Sequence, residues 1–289
     1  MGAELLHRTG RGVEPTDAGR VLLAHAEDAI RAAESGVKAV RELLGLERGS
    51  IRVGGGATAT AYILPPVVST VRKKHPGLRF FVREAGSAQV AQAVASGELD
   101  LGIITLPVPK HMAADLTVVP LVQDELRLIT PAGHPLRSRP GRGDKPETPR
   151  RAIDRRKLPA SPLGADAVLP TRRPGPPGTF AWVDLAGEPF VAFEAGTAVR
   201  AIIDDAARAA GVTLSVVMEL RSIESIKRMV AAGIGVALVS RFALSEGEGL
   251  LCGDQPLRRQ LGLVRRKDRT APVATTQFVQ SLTKWAAGR

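Results

Sequence analysis

Few side chains in this chain of 289 residues are spaced for catalysis or for metal binding. The five histidines show none of the spacings that metal ligands need, and they stand at positions 7, 25, 75, 111 and 134. Ser240 lacks the Gly-x-Ser-x-Gly surroundings of a nucleophile elbow, and Cys252 has no histidine near it in sequence. A glycine run at 54–56 breaks the dinucleotide-loop spacing at Ala59. We therefore expect no catalytic residues, no metal and no cofactor.

Four hydroxyl side chains stand where helices are predicted to begin: Thr58, Ser87, Thr197 and Ser222. A hydroxyl at this position can accept a hydrogen bond from a free backbone N–H of the first turn, which caps the helix. Capping alone explains all four residues. A capping hydroxyl can also face a ligand, because the free N–H groups and the helix dipole at that end favour carboxylates. Both roles stay open.

From residue 50 onward, short apolar strands alternate with amphipathic helices. Strands are predicted at 51–53, 78–84, 99–104, 189–193, 213–219 and 234–239, with extended segments at 117–122 and 125–130. Helices are predicted up to residue 74 and at 87–96, 197–210 and 223–232, and a last helix presents Phe278, Leu282 and Trp285 on one face. Such alternation indicates parallel sheets covered on both faces. Because it occurs twice, we expect an α/β protein with two subdomains and a cleft between them.

One long helix is predicted upstream of these elements. Thr16 offers an N-cap, and Asp17 is an acidic residue beside the positive helix end. An apolar stripe follows at steps of three and four: Leu22, Ala26, Ala29, Ala33, Val37, Val40 and Leu44. A thin, alanine-rich stripe of roughly 42 Å favours close packing against a partner helix. The alternative, a helix lying on the core of its own domain, stays open.

The segment 137–178 differs from the rest of the chain in composition. It holds nine of the 21 prolines, and its eleven basic against four acidic residues supply +7 of the net charge of +11. Such a segment cannot sustain regular structure, so we predict a disordered insertion. A solvated loop is the simpler interpretation, and an arm that touches nucleic acid or another acidic partner is the alternative. Residues 1–48 hold seven basic and eight acidic residues, so the global charge does not indicate DNA binding there.

Other bulk properties narrow the class of protein. No apolar run approaches the eighteen or so residues of a membrane span, and the N-terminus lacks the pattern of a signal peptide. A single cysteine excludes an intramolecular disulfide. We expect a soluble, cytoplasmic protein that does not contact a membrane.

An ordered set of short motifs over about 5–136 and 180–289 resembles LysR-type bacterial transcription regulators. The motifs are RTGRGV at 8–13, PTDAG at 15–19, YILP at 62–65, HP at 75–76, GELDLGI at 97–103, PAGHPL at 131–136, DLAGEP at 184–189 and VAAGIGV at 230–236. Each is weak alone, whereas their order and spacing are specific. The chain departs from the family's pattern in three places. It begins where the recognition helix of the winged helix-turn-helix should already have ended, it carries the insertion, and it has Ser240 where a proline is common.

The resemblance implies two periplasmic-binding-protein-like α/β subdomains with a cleft, preceded by a long linker helix and the remnant of a winged helix-turn-helix. The implied division is a wing remnant at 1–15 and a dimerising linker helix at 16–48. Sensory subdomain 1 would comprise 49–129 and 241–289. Sensory subdomain 2 would comprise 130–240, with the disordered insertion at 137–179.

The resemblance also places a small-molecule effector between the subdomains, against strand ends and helix N-termini. The matching positions are Thr58, Thr60, Ser87 and Thr105 in the first subdomain and Glu194, Thr197 and Ser222 in the second. Thr105 has the weakest structural explanation among them. Glu194 would repel a carboxylate, so either the effector carries a donor or cationic group or this side chain points away. A small organic acid or a similar metabolite is the expected effector.

For DNA, the resemblance leaves Arg8 and Arg11 on the glycine-rich wing as candidate phosphate contacts. The alternative is two exposed arginines on a tight turn. Without a recognition helix, contacts to base edges are lost, and phosphate contacts alone give weak, salt-sensitive binding.

The leading hypothesis is a ligand-responsive LysR-type transcriptional regulator that forms dimers or tetramers and acts on promoter DNA, with an incomplete DNA reader in this chain. The alternative is a stand-alone small-molecule binding module without specific DNA binding. A third hypothesis, an enzyme on the same two-lobed scaffold, lacks catalytic groups.

Overall fold

The computed structural model describes residues 2–10, 12–43, 49–137 and 178–289. The strands are β1 (Leu6–Thr9), β2 (Gly12–Pro15), β3 (Ser50–Gly55), β4 (Arg79–Glu84), β5 (Leu101–Thr105), β6 (Leu116–Ile129), β7 (Thr179–Phe180), β8 (Pro189–Phe193), β9 (Ser215–Leu220), β10 (Ala237–Ser240), β11 (Leu251–Cys252) and β12 (Arg258–Arg266). The helices are α1 (Asp17–Leu43), α2 (Leu64–Lys74), α3 (Ser87–Ala95), α4 (Ala198–Ala209), α5 (Ile223–Ala231) and α6 (Val273–Ala287). The predicted insertion at 137–179 lies, except for its ends, outside the described residues. None of the described helices has the length and apolarity that a bilayer span requires.

A two-stranded hairpin precedes α1 and packs against its first turn. Strands β1 and β2 pair antiparallel. The Thr16 hydroxyl accepts a hydrogen bond from the Gly19 N–H at 2.9 Å, which confirms the predicted cap. A Cβ added to Gly19 would lie 1.9 Å from the Leu5 carbonyl oxygen, so only glycine lets the helix approach the chain that leads into the hairpin.

The second half of α1 leaves its apolar stripe largely exposed. Val37 and Val40 are 51% and 58% exposed. Ala33 and Val37 line a cavity between α1 and the first subdomain, and Lys38 Nζ lies 3.4 Å from the Asp100 carboxylate beside it. The stripe therefore does not lie on the core of its own domain. Its last predicted member, Leu44, is outside the described residues.

The first subdomain is built on a six-stranded mixed sheet with the order β10-β6-β12-β5-β3-β4. Strands β3, β4 and β5 run parallel, as the alternation predicts. Strand β12 lies in the middle of the sheet and runs antiparallel to both β5 and β6. The expectation of purely parallel sheets is therefore wrong here, because 258–266 form a central strand that was not predicted.

Strand β6 links the two subdomains. The segments predicted at 117–122 and 125–130 form one strand of 14 residues. Its first part pairs with β12 over Leu116–Glu125, and its last part pairs with β10 over Leu126–Ile129. Because β10 belongs to the core of the second subdomain, β6 carries one backbone hydrogen-bond ladder from the first subdomain into the second.

Each subdomain has its own apolar core. The first contains Ile51, Leu263 and Phe278, and it is covered by α2 and α6. The buried face of α6 confirms the predicted roles of Phe278 and Leu282. The second core surrounds the parallel pair β8 and β9 and includes Phe190 and Ile226. The chain therefore folds as two packed units joined by shared strands, which places a cleft between them.

Gly235→Ala should destabilise the second subdomain. The neighbouring Val236 N–H donates to the Pro189 carbonyl oxygen at 2.8 Å, and a Cβ on Gly235 would lie 2.3 Å from that same oxygen. Relieving the clash requires a backbone shift, which should lower the free energy of unfolding by about 1–3 kcal/mol in a urea titration. The control is Gly56→Ala, whose added Cβ would have its nearest neighbour at 3.9 Å. Equal losses in the two variants would contradict this account of the turn.

Candidate ligand-binding cleft

A buried ion pair lies at the base of the cleft. The Arg259 guanidinium, on β12, is 7% exposed, and the Asp124 carboxylate, on β6, is fully buried. Arg259 Nε donates to Asp124 Oδ2 at 2.8 Å, and the Ser240 hydroxyl donates to the other carboxylate oxygen at 2.8 Å. A buried pair is tolerated only when further hydrogen bonds satisfy its remaining groups. Asp124 therefore fixes the guanidinium and ties β6, β10 and β12 together.

The remaining Arg259 donors reach two of the predicted site residues. Arg259 Nη2 donates to the Thr58 hydroxyl at 2.7 Å, and Arg259 Nη1 donates to the Thr105 hydroxyl at 3.4 Å. The backbone N–H of Thr105 donates to the Ser87 hydroxyl at 3.0 Å. Thr58 and Thr105 thus contact one guanidinium at the carboxyl ends of β3 and β5, and Ser87 joins them through the backbone of Thr105. We call these three residues with Arg259 the hydroxyl–arginine cluster.

The hydrogen bonds decide between capping and other roles for the four hydroxyl residues. Thr197 accepts from the Arg200 N–H and caps α4, and Ser222 accepts from the Ser225 N–H and caps α5, so both predicted caps are confirmed. The capping interpretation is wrong for the other two. The Thr58 side chain makes no cap hydrogen bond, and Ser87 is the first residue of α3, after Gly86 as the N-cap. Both hydroxyls serve the cluster instead.

The chain that follows Thr58 forms a π-helical turn at Ala59–Ile63 before α2 begins. Such turns are rare in proteins overall, and those that occur are often found at functional sites. The Thr60 hydroxyl donates to Glu84 Oε2 at 2.6 Å, at the end of β4. Two residues later, the Tyr62 hydroxyl donates to the carboxylate of Glu224 at the start of α5. The turn therefore holds Thr60 against its own subdomain and Tyr62 against the other subdomain.

The Tyr62–Glu224 hydrogen bond changes the pKa of both partners. Burial raises the pKa of the Tyr62 hydroxyl, and the Glu224 carboxylate raises it further. The hydrogen bond from Tyr62 holds the pKa of Glu224 below its ordinary value. A depressed carboxylate pKa means that this contact contributes stability above the ordinary pKa of glutamate and loses it as the pH falls through the lowered value. The contact is therefore formed at neutral pH.

Glu194, the carboxylate predicted to line the cleft from the second subdomain, forms an ion pair. Glu194 pairs with Arg221, whose pKa is raised mainly by that hydrogen bond and to a lesser extent by the charge of Glu84. With its charge balanced by Arg221, Glu194 does not present a bare negative charge to a carboxylate ligand.

Of the two predicted DNA contacts, the structure describes Arg8. Arg8 is exposed on β1 of the N-terminal hairpin, and Arg11 lies outside the described residues. Among the described residues, no three His, Cys, Asp or Glu side chains gather as a metal site requires.

Sequence reasoning missed three residues of the site: Arg259, Asp124 and Ser240. A signal was present for Asp124, which lies between the apolar segments of the long strand β6 and must find a partner when buried. No local pattern identifies that partner, because Arg259 is 135 residues away in sequence. The cluster gathers hydroxyl groups and a guanidinium, which are suited to hold an anion and carry no nucleophile–base pair.

The fold and the cleft define the class as a two-subdomain α/β module of the periplasmic-binding-protein type. The sequence pattern of the LysR substrate binding domain matches residues 44–287, and the chain belongs to this family. It is a LysR-type transcriptional regulator. A probable RuBisCO transcriptional regulator of Synechocystis sp. is 28% identical over 291 residues, which cover 98% of this chain and 73% of that protein.

Solved structures have the same fold. The regulatory domain of CcmR from Synechocystis, in complex with 2-PG, has a TM-score of 0.60 at 20% identity, over 82% of this chain and 97% of that one. An OxyR mutant of Corynebacterium glutamicum has a TM-score of 0.61 at 22% identity, over 98% of this chain and 78% of that one.

Arg259→Met should destabilise the protein strongly, because it leaves the fully buried Asp124 carboxylate without a counter-charge. We expect a loss of about 3–5 kcal/mol in the free energy of unfolding. The neighbouring Arg258, which is 55% exposed and lies 3.5 Å from Glu125, provides the control. Arg258→Met should cost less than about 1 kcal/mol.

The double variant Arg259→Met/Asp124→Leu removes both buried charges and should recover most of the lost stability. A double variant no more stable than Arg259→Met would contradict the role given to the ion pair.

Proposed function

We propose that this regulator binds a small anionic effector at the hydroxyl–arginine cluster and controls transcription in response. The observation that carries the proposal is a connected hydrogen-bond network: the buried Arg259 donates to Thr58 and Thr105, and the backbone N–H of Thr105 donates to Ser87. These residues come from separate elements of the first subdomain and meet at the strand ends that face the second. Ligands of open α/β sheets bind at such carboxyl ends.

The chemistry of the cluster favours a carboxylate or phosphate. Hydroxyl groups and the N–H groups of a helix N-terminus hold anions, and α3 begins at Ser87. The charge of the Arg259 guanidinium is balanced by Asp124, so its contribution to an anion site is N–H donors held in a fixed position. The CcmR structure with 2-PG has the same fold, which supports a small anionic metabolite as the effector class.

Closure of the cleft is the proposed response. The Tyr62–Glu224 contact joins the π-helical turn to α5, and an effector seated beside Thr58 would bear on that turn. An effector shifts a conformational equilibrium only through its different affinity for the two states. Contacts that exist only when both subdomains close on the ligand supply that difference.

Exposed apolar surface supports assembly into dimers or tetramers. The stripe of α1 is uncovered at Val37 and Val40, as coiled-coil pairing requires. On the sensory subdomains, Phe81 and Val82 are exposed on the edge strand β4, and Val217 is exposed on β9. We propose that α1 dimerises and that the sensory subdomains pair separately.

Promoter DNA in the cytoplasm is the proposed target, since the chain belongs to a family of transcriptional regulators. Arg8 is exposed on the N-terminal hairpin, and we propose that it contacts phosphates, which position a protein on DNA without reading its sequence. The rival function, a stand-alone binding module, predicts the same cleft without DNA binding. We favour a regulator over an enzyme because the hydroxyl groups of the cluster have no general base beside them to activate them as nucleophiles.

Thr105→Val and Ser87→Trp should remove effector binding. The first replaces a cluster hydroxyl by a methyl of similar size, and the second fills the space beside it. We expect 2-PG or a member of a panel of small carboxylic acids to raise the melting temperature of the wild type but not of either variant. Thr70→Val, on the exposed surface of α2, should keep the full shift. Unchanged shifts in both cluster variants would refute the assignment of the effector to this cleft.

Val40→Glu should weaken dimerisation through α1, because it places a charge in the exposed apolar stripe. Size-exclusion chromatography with light scattering should detect a smaller species than the wild type at the same concentration. Arg20→Glu adds a carboxylate to an exposed position near the N-terminus of α1 and should leave the assembly unchanged. An unaltered mass for Val40→Glu would exclude the stripe as a dimer contact.

A further inference from the structure

A large cavity lies at the end of the first subdomain remote from the cleft. Its volume is about 1020 Å³, and it separates α1 from the starts of β3 and β4. The hydroxyl–arginine cluster sits at the carboxyl ends of the parallel strands, whereas Ser50, Arg79 and Asp100 mark their amino ends. The two places are therefore independent, and the cavity has no part in the effector proposal.

The walls of the cavity are strongly basic. Seven cationic side chains face two carboxylates, Glu34 and Asp100; the cations are Lys38, Arg52, Arg72, Arg79, Arg265, Arg266 and Arg269. Asp100 is already engaged, since Arg52 and Lys38 lie 3.3 and 3.4 Å from its oxygens. Arg266 pairs with Asp268, outside the cavity lining. The acidic groups present therefore neutralise only part of the charge.

Four guanidinium groups of the cavity have no carboxylate within ion-pair distance among the described residues: Arg72, Arg79, Arg265 and Arg269. Two of the cavity's cations come close together beside Gly97, which has no side chain to exclude them. A Cβ added to Gly97 would lie 3.2 Å from Arg266 Nη1 and 3.6 Å from Arg269 Nη1. Like charges gathered in a concave place repel one another and attract counter-ions. An anion with several charges would relieve this repulsion.

We infer that the cavity between α1 and the first subdomain binds a small multivalent anion, with two or more phosphate or carboxylate groups. Guanidinium groups match such groups with paired N–H donors. The volume lies at the upper end of the range for small-molecule sites. Phe81 lines the same cavity with an exposed ring, which offers an apolar face to the body of the ligand.

The position of the cavity indicates how a bound anion would affect α1. Lys38 on α1 and Arg52 on β3 share Asp100, so one carboxylate already connects the linker helix with the sensory subdomain. An anion bound between the same two walls would fix the angle at which α1 leaves the subdomain. A rigid rod of duplex DNA fits poorly in a cavity covered on one side by a helix, so a small ligand is favoured.

Isothermal titration of the 289-residue protein with tripolyphosphate and, separately, with citrate tests the site. The double variant Arg79→Gln/Arg269→Gln should weaken binding at least tenfold. The matched control Arg208→Gln/Arg228→Gln removes two exposed charges from the second subdomain and should bind as the wild type does. The stronger of the two probes identifies phosphate or carboxylate as the preferred group.

The melting temperature without ligand separates binding from folding. Removing mutually repelling charges should leave it unchanged or raise it in Arg79→Gln/Arg269→Gln. Equal weakening in the control, or unchanged binding in the cavity variant, would overturn the proposal. Displacement of tripolyphosphate by a short duplex of random sequence, with tighter binding of the duplex, would overturn it in favour of a nucleic-acid surface.

Discussion

A buried carboxylate must be paired with a cation and fully hydrogen-bonded. The cleft of this regulator is arranged around one such carboxylate, that of Asp124. Its partner Arg259 leaves the ion pair with donors to spare, and these hold Thr58 and Thr105. One electrostatic constraint therefore fixes the central strand β12, the link strand β6 and the hydroxyl groups proposed to meet the effector. The site is rigid on the side of the first subdomain because its groups are bound to one another.

The second subdomain is connected to the first through strand β6 and through side-chain hydrogen bonds. Strand β6 continues from β12 to β10, and Ser240 at the end of β10 contributes a hydrogen bond to Asp124. Nearer the cleft surface, the Tyr62–Glu224 hydrogen bond connects the subdomains through side chains alone. Motion of one subdomain against the other is thus expected to keep the hydrogen-bonded base and to rearrange the side-chain contacts. A basic cavity at the opposite end of the sheet gives α1 a separate electrostatic contact with the same unit.

Local patterns predicted much of this fold, because they report on single elements. The Thr16 cap, the caps at Thr197 and Ser222, and the apolar face of α6 all follow from spacing within a few residues. Strand β12 was missed because arginines flank its short apolar centre and obscure the pattern of a buried strand. The two roles left open for Thr58 and Ser87 could not be separated from the sequence, because their partners, Arg259 and Thr105, are distant in sequence. The resemblance to LysR-type regulators identified the positions of the cleft, but the guanidinium that joins them could be found only in three dimensions.

The central claim is that the effector is held by the hydroxyl groups around Arg259. The most direct test is a crystal structure of the protein with 2-PG or with the carboxylic acid that raises its melting temperature most. We predict an anionic group within hydrogen-bond distance of the Thr58, Ser87 and Thr105 side chains, with the Arg259–Asp124 pair intact. A ligand bound elsewhere, with the cluster closed on itself as it is in the free protein, would contradict the account.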